Sequence, residues 1–152
     1  MKELSDSLAR AFRKTTYWIQ SAEECVGLRI DGSTNPRVEV LLQQLQCASF
    51  AIITSDNPRA QRIPEDENET RRIRLGRIIE ESQFEFRPTR HVADDNQWPV
   101  EHGYAIFGLS ELHAEEWGRR FEQSAIVYGS RESRSRLVVV NYAPSVEAIG
   151  ER

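Results

Sequence analysis

The stretch Phe50-Ala51-Ile52-Ile53-Thr54 has no polar face. A strand half open to water alternates apolar with polar residues, whereas an unbroken apolar run is buried on both faces. That one segment obliges the chain to build a sheet that is covered where this strand lies. The run then stops abruptly in Ser55, Asp56, Asn57 and Pro58. Either these residues make an Asx-type turn, set by Asp56 or Asn57 before the proline, or the strand delivers hydrogen-bonding groups to the rim of a site.

Periodicity supplies the other elements. Leu4, Leu8, Ala11 and Phe12 recur at helical spacing and open the chain with an amphipathic helix. The β-branched and aromatic stretches TTYWIQ and CVGLRI read as a hairpin. Pro36 fits the first turn of a second helix, with Val38, Leu41, Leu42 and Leu45 on one stripe. Asp66 and Glu69 suggest a capping box for a third helix, with Leu75, Ile78 and Ile79 inward and Arg71, Arg74 and Arg77 outward. QFEFRP reads as a short strand, HVADDNQWPVEHG as a loop and YAIFGL as a second fully apolar strand. Ser110 is the N-cap of a fourth helix that places Ala114, Trp117 and Phe121 on a shared face and His113 toward solvent. SAIVYG and RLVVVNY close the sheet as a hairpin. The expected class is α/β, α+β-like, with a single mixed β-sheet and helices packed on it. One globular domain over residues 1–143 and a frayed tail over 144–152 complete the expectation.

A formal net charge of -4 leaves no global pull toward nucleic acid, which is not an expected partner. No stretch approaches the ~20 apolar residues of a membrane span, and MKELSDSLARAFRK has no apolar core of signal-peptide length. Cys25 and Cys47 form neither a CxxC nor a ligand spacing with histidine, which suits reduced thiols in the cytoplasm. There is no P-loop, no G-x-G-x-x-G and no G-x-S-x-G elbow, so triphosphate hydrolysis, dinucleotide binding and a serine nucleophile lose their usual signatures. His91, Asp94, Asp95, Glu101 and His102 share one segment without a recognised ligand spacing. No metal and no cofactor is expected.

Certain polar residues stand out beside the apolar runs. Thr54 and Asn57 are neutral donors and acceptors suited to sugar hydroxyls, amides or base edges. The arginines of the third helix lie among Glu65, Asp66, Glu67, Glu69, Glu80 and Glu81, where surface pairing absorbs most of them. Arg72, beside Ile73, lies nearer the buried side and is the one suited to an anion contact. Trp98 either plugs the edge of the core or offers a stacking surface. Glu101 precedes an apolar strand and, if partly buried, has the character of a general base. Gln123, where the fourth helix gives way to a strand, either satisfies loose carbonyls or faces a site.

In their order, FAIITSDNP, NETRRIRL, NQWPVEHGYAIFGL and FEQSAIVYG resemble the bacterial domain-of-unknown-function family three-two-nine-three. That family's pattern runs a strand into Thr-Ala-x-Asn-Pro, followed by an Asn and Arg/Leu helix. A Trp-Pro-x-Glu segment then precedes a strand, and a Phe-Gly-Gln-x-Ala motif comes last. The resemblance spans roughly Thr16 to Val140 and falls, position by position, on Thr54, Asn57, Pro58, Asn68, Trp98, Glu101 and Gln123. The chain departs from the pattern at Ser55-Asp56, at Glu122 in place of glycine and at His102 in place of a small residue. Asp56 removes a stacking ring. The resemblance implies a shared site and no reaction.

The expectation is a binding site made of Thr54, Asn57, Pro58, Asn68, Arg72, Trp98 and Gln123, with Glu101 as its one catalytic candidate. Its occupant is a small polar, nucleotide-like ligand. One alternative is a hydrolase using Glu101 as general base on a glycosidic or phosphate bond. The other is a protein-interaction module whose polar cluster is purely structural.

Overall fold

The structure is a computed structural model and describes residues 4–22, 24–32, 35–131 and 134–142. Helix α1 (Asp6–Arg13) leads into the hairpin β1 (Thr15–Gln20) and β2 (Cys25–Leu28). Helix α2 (Pro36–Leu45) precedes β3 (Ser49–Thr54), and a single 3-10 turn (Pro58–Ala60) separates β3 from α3 (Glu65–Ser82). Then come β4 (Glu85–Ala93), β5 (Glu101–Phe107), α4 (Glu111–Arg120), β6 (Ala125–Ser130) and β7 (Arg136–Val139). The expected tail from Pro144 lies outside the described residues. No helix among the described residues is long and apolar enough to cross a membrane.

The strands form one sheet in the order β2-β1-β4-β5-β3-β6-β7. The α+β class with helices packed on a single sheet holds, but the sheet is antiparallel at every pairing rather than mixed. The cause lies in the crossovers. Helix α3 returns the chain in its original direction, so β4 runs parallel to β3, but β5 is inserted between them. Helix α4 does the same for β5 and β6, with β3 in the gap. Each helical crossover skips one place, and an antiparallel strand fills it, as in a split β-α-β unit.

Strand β3 is buried on both faces. Phe50 and Ile52 point into one apolar cluster with Tyr17, Ile19, Leu28 and the α2 residues Val38, Leu41 and Leu42. Ala51 and Ile53 point into the other, with Leu75 and Ile79 of α3 and Ala114 and Trp117 of α4. Burying a side chain such as Ile53 contributes roughly 1.5–3 kcal/mol, so this short strand joins the two halves of the core. His113 does not simply face solvent, because its ring meets Trp117 edge-on with centroids 4.9 Å apart.

Two local expectations are corrected. Helix α3 starts at Glu65 behind Pro64 and has no side-chain cap, so the Asp66/Glu69 capping box does not form. Strand β4 also continues well past Pro88 to Ala93, so His91 belongs to a strand and not to a loop. Pairing with β1 begins at Thr89, which leaves Pro88 where β4 has a strand on one side only, a place that tolerates the missing N–H.

Strands β3 and β5 approach closely where Gly103 faces Thr54. A Cβ at residue 103 would lie 2.4 Å from the Ile53 carbonyl oxygen, a backbone atom that cannot swing aside. Gly103→Ala is therefore expected to destabilise the fold by about 1–3 kcal/mol or more, measured as a fall in the urea midpoint with an unchanged slope.

Candidate functional site

The polar segment after β3 is organised by helix α3. Asn68, Arg71 and Arg72 stand at i, i+3 and i+4, the spacing that places side chains on one helical face. All three reach the segment. Asn68 accepts the Asn57 N–H at 2.8 Å and donates to Asn57 Oδ1 at 3.0 Å. Arg71 donates to the carbonyls of Ser55 and Phe121, both at 2.6 Å. Arg72 grips the fully buried Asp56 with both arms, at 2.8 and 2.7 Å, and reaches Glu65 at 2.8 Å. Hydrogen bonding to the Asp56 carboxylate holds the Arg72 guanidinium further above its already high ordinary pKa.

Asp56 also accepts the His102 N–H at 2.9 Å, and the Thr54 hydroxyl donates to the His102 carbonyl at 2.6 Å. The start of β5 is thereby fixed against the end of β3. Asn57 adopts a left-handed conformation with φ of 47°, which asparagine tolerates better than most residues. Its Oδ1 accepts the Ile63 N–H, and its amide donates to Glu101 Oε2 at 2.9 Å. Gln123 donates its amide to the carbonyls of Asp56 and Phe121. "TSDNP" is therefore a pinned turn that also carries side chains to a rim.

Beyond that rim lies a cavity of about 360 Å³ between α1, the sheet and the β4–β5 loop. It is within the roughly 300–1,000 Å³ range of small-molecule sites. Leu8, Ala11 and Phe12 of α1 wall it on one side, and Tyr17, Ile52 and His91 form its floor. Tyr17, His91 and Glu101 stand directly opposite one another on three neighbouring strands, β1, β4 and β5. Their side chains therefore share one face of the sheet. Trp98, 37 % exposed, donates its indole N–H to Glu101 Oε2 at 2.9 Å.

Burial raises the Glu101 carboxyl above the ordinary carboxylate range, and the Asp56 charge adds to the effect. The hydrogen bonds from Asn57 and Trp98 act against it. Burial pushes His91 down to about 3, with the nearby His102 acting in the same direction, so the His91 imidazole is neutral at pH 7. Its Nε2 lies 2.8 Å from Thr89 Oγ1, and its ring meets Tyr17 edge-on at 4.9 Å. The Tyr17 hydroxyl is buried without a hydrogen-bond partner, and its pKa is raised by burial and then by the Glu101 charge.

Of the residues singled out from sequence, Thr54, Asn57, Trp98, Glu101 and Gln123 line the cavity. Pro58, Asn68 and Arg72 do not. The expected anion contact of Arg72 is an internal pair with Asp56 and Glu65, and Asn68 serves the turn. Arg71, expected outward, caps two carbonyls instead. Sequence reading missed Tyr17, and it placed His91 in a loop with possible ligands. The period-two pattern of Tyr17/Ile19 and of Thr89/His91/Ala93 was the available signal. Asp94 is paired with Arg29, and among the described residues no three of His, Cys, Asp and Glu gather as metal ligands.

Residues 53–126 match the model of the family described as Protein of unknown function (DUF3293), which supports the resemblance read from the sequence. The matched stretch is narrower than the resemblance read from sequence. No curated protein and no solved structure matches the chain.

Two outcomes follow from this geometry. Arg72→Met leaves Asp56 charged and buried without its partner, and a loss of about 3–5 kcal/mol is expected in denaturant unfolding. For His91, the unfolded chain takes up a proton below about pH 6.5 that the folded chain refuses until about pH 3. Stability should therefore fall as pH drops through that window, by up to about 5 kcal/mol. In His91→Gln that part of the pH dependence is expected to vanish, as followed by unfolding at successive pH values.

Proposed function

We propose that this chain, whose residues 53–126 match a family with no activity in its description, binds a small polar, ring-bearing ligand of the nucleoside or nucleotide class in the α1–sheet cavity. One observation carries the reading. The Glu101 carboxyl is held by Asn57 and Trp98 through a single oxygen, Oε2, at the wall of a half-open cavity of about 360 Å³. A polar anchor fixed by two donors, an indole at the rim and aliphatic walls make up the usual composition of a small-molecule site. The free thiols of Cys25 and Cys47 suit the reducing cytoplasm, where we place the protein.

A second reading rests on the raised pKa of Glu101. A carboxyl shifted upward in a cavity has the character of a general base that takes a proton from a bound water as the water attacks a glycosidic or phosphate bond. Release of free base or phosphate, lost by about 10²–10⁴-fold in Glu101→Gln, distinguishes hydrolysis from binding.

The test is thermal unfolding of the full chain against nucleosides, nucleotides, short RNAs and divalent metals. A ligand at about 100 times its Kd should stabilise by about 2.7 kcal/mol. Trp98→Ala and Glu101→Gln are expected to abolish that shift. A flat panel favours instead the interaction module with a structural polar cluster.

A further inference from the structure

The two donors to Glu101 do more than hold it in place, because both choose the same oxygen. Asn57 and the Trp98 indole donate to Oε2, and Oε1 accepts no hydrogen bond from the described residues. Nor is Oε1 shut away. Among the described residues, the buried side-chain atoms without a partner are the Tyr17 hydroxyl and Ser55 Oγ. The unbonded Oε1 is not one of them, so it stays accessible at the cavity wall that Glu101 lines. An ionised carboxylate only accepts hydrogen bonds, and its open oxygen therefore asks for an N–H or O–H.

The surroundings favour a flat, aminated group. The indole N–H lies in the plane of its ring and donates to the carboxylate, so a ring resting on Trp98 brings its edge beside Glu101. Among the described residues that line the cavity, Asp95 and Glu101 are acidic and Lys14 alone is basic. Lys14 is itself drawn on by a neighbouring acid. The hydrogen bond from Arg29 holds the Asp94 carboxyl below its ordinary range, and the Lys14 charge acts in the same direction. The wall thus presents an electronegative face, which suits the electropositive N–H edge of an aminated ring.

We infer that Glu101 is the specificity-determining residue of the site and selects an amino-bearing nitrogen heterocycle, a base of the adenine or cytosine type, through one N–H bond to Oε1. This rests on the reading of the cavity as a ligand site. The clamp on Oε2 gives the choice a direction. In Glu101→Gln the same two donors require the carbonyl oxygen at the place of Oε2, so the amide nitrogen takes the place of Oε1 and an acceptor becomes a donor. One isosteric change therefore turns the ligand's amino group from partner into obstacle.

The experiment is calorimetric titration of the full chain at pH 8 with two matched pairs, adenosine against purine riboside and cytidine against its analogue without the amino group. At least one amino nucleoside is expected to bind, with the member that lacks the amino group weaker by about tenfold or more. Glu101→Gln should close or reverse that gap, chiefly by weakening the amino member. The change removes a charge that burial disfavours, and a thermal midpoint equal to or above that of the parent chain shows that the fold is intact. Equal affinities within the pair that binds overturn the inference, as does a Glu101→Gln variant that keeps the parent's preference. If neither pair binds while another compound gives a Trp98-dependent thermal shift, the selection by Oε1 fails and the ligand site stands. If no compound does so, both fail.

Discussion

The buried ion pair between Asp56 and Arg72 is the constraint on which the site depends. A carboxylate with no solvent exposure is tolerated only when its acceptor sites are filled. Here the guanidinium fills two and the His102 N–H takes another. Those bonds join the end of β3, the middle of α3 and the start of β5. Glu101 immediately precedes His102, so the position of the cavity's acid is inherited from a charge pair that never touches the cavity. Thr54 and Gln123 secure the same junction from the strand and from the end of α4.

Around that junction the polar residues divide into two groups. Asn68, Arg71, Arg72 and Asp56 satisfy one another and nearby backbone groups, and they hold the turn. Tyr17, His91, Glu101 and Trp98 line the cavity. Asn57 belongs to both groups. Its backbone and Oδ1 are tied to α3 and Ile63, while its amide steadies Glu101. The opening alternatives, a turn or a rim, describe the same five residues from two sides.

Much of the fold was legible, and the gaps have physical causes. The lack of alternation in Phe50–Thr54 announced a strand with two cores, because hydrophobic content alone decides that matter. Strand β4 reads as ending at Pro88, and only the register with β1, which begins at Thr89, shows that this proline sits where β4 has a neighbour on one side alone. The role of Arg71 and Arg72 was hidden for another reason. A polar stripe on a helix looks the same in sequence whether it meets water or a buried carboxylate, and Asp56 lies far back along the chain. Antiparallel pairing was equally invisible, since a crossover that skips a place has the same local signature as one that does not. Within the site, Glu101 and Trp98 carried signals of residue type, whereas Tyr17 and His91 acquire meaning only from the strand register.

The interleaved strand order also bears on how the molecule comes into being. Both neighbours of β3 lie later in the chain, after α3 and after α4. As synthesis proceeds from the N-terminus, the most apolar strand emerges with neither flank filled, a state prone to association with other unpaired edges. Its partners close around it only when β5 and then β6 have left the ribosome. The cavity wall, which draws on residues from Leu8 to Val127, is completed at that same late step. Core and site thus form together, in a single non-local event of the slow-folding kind.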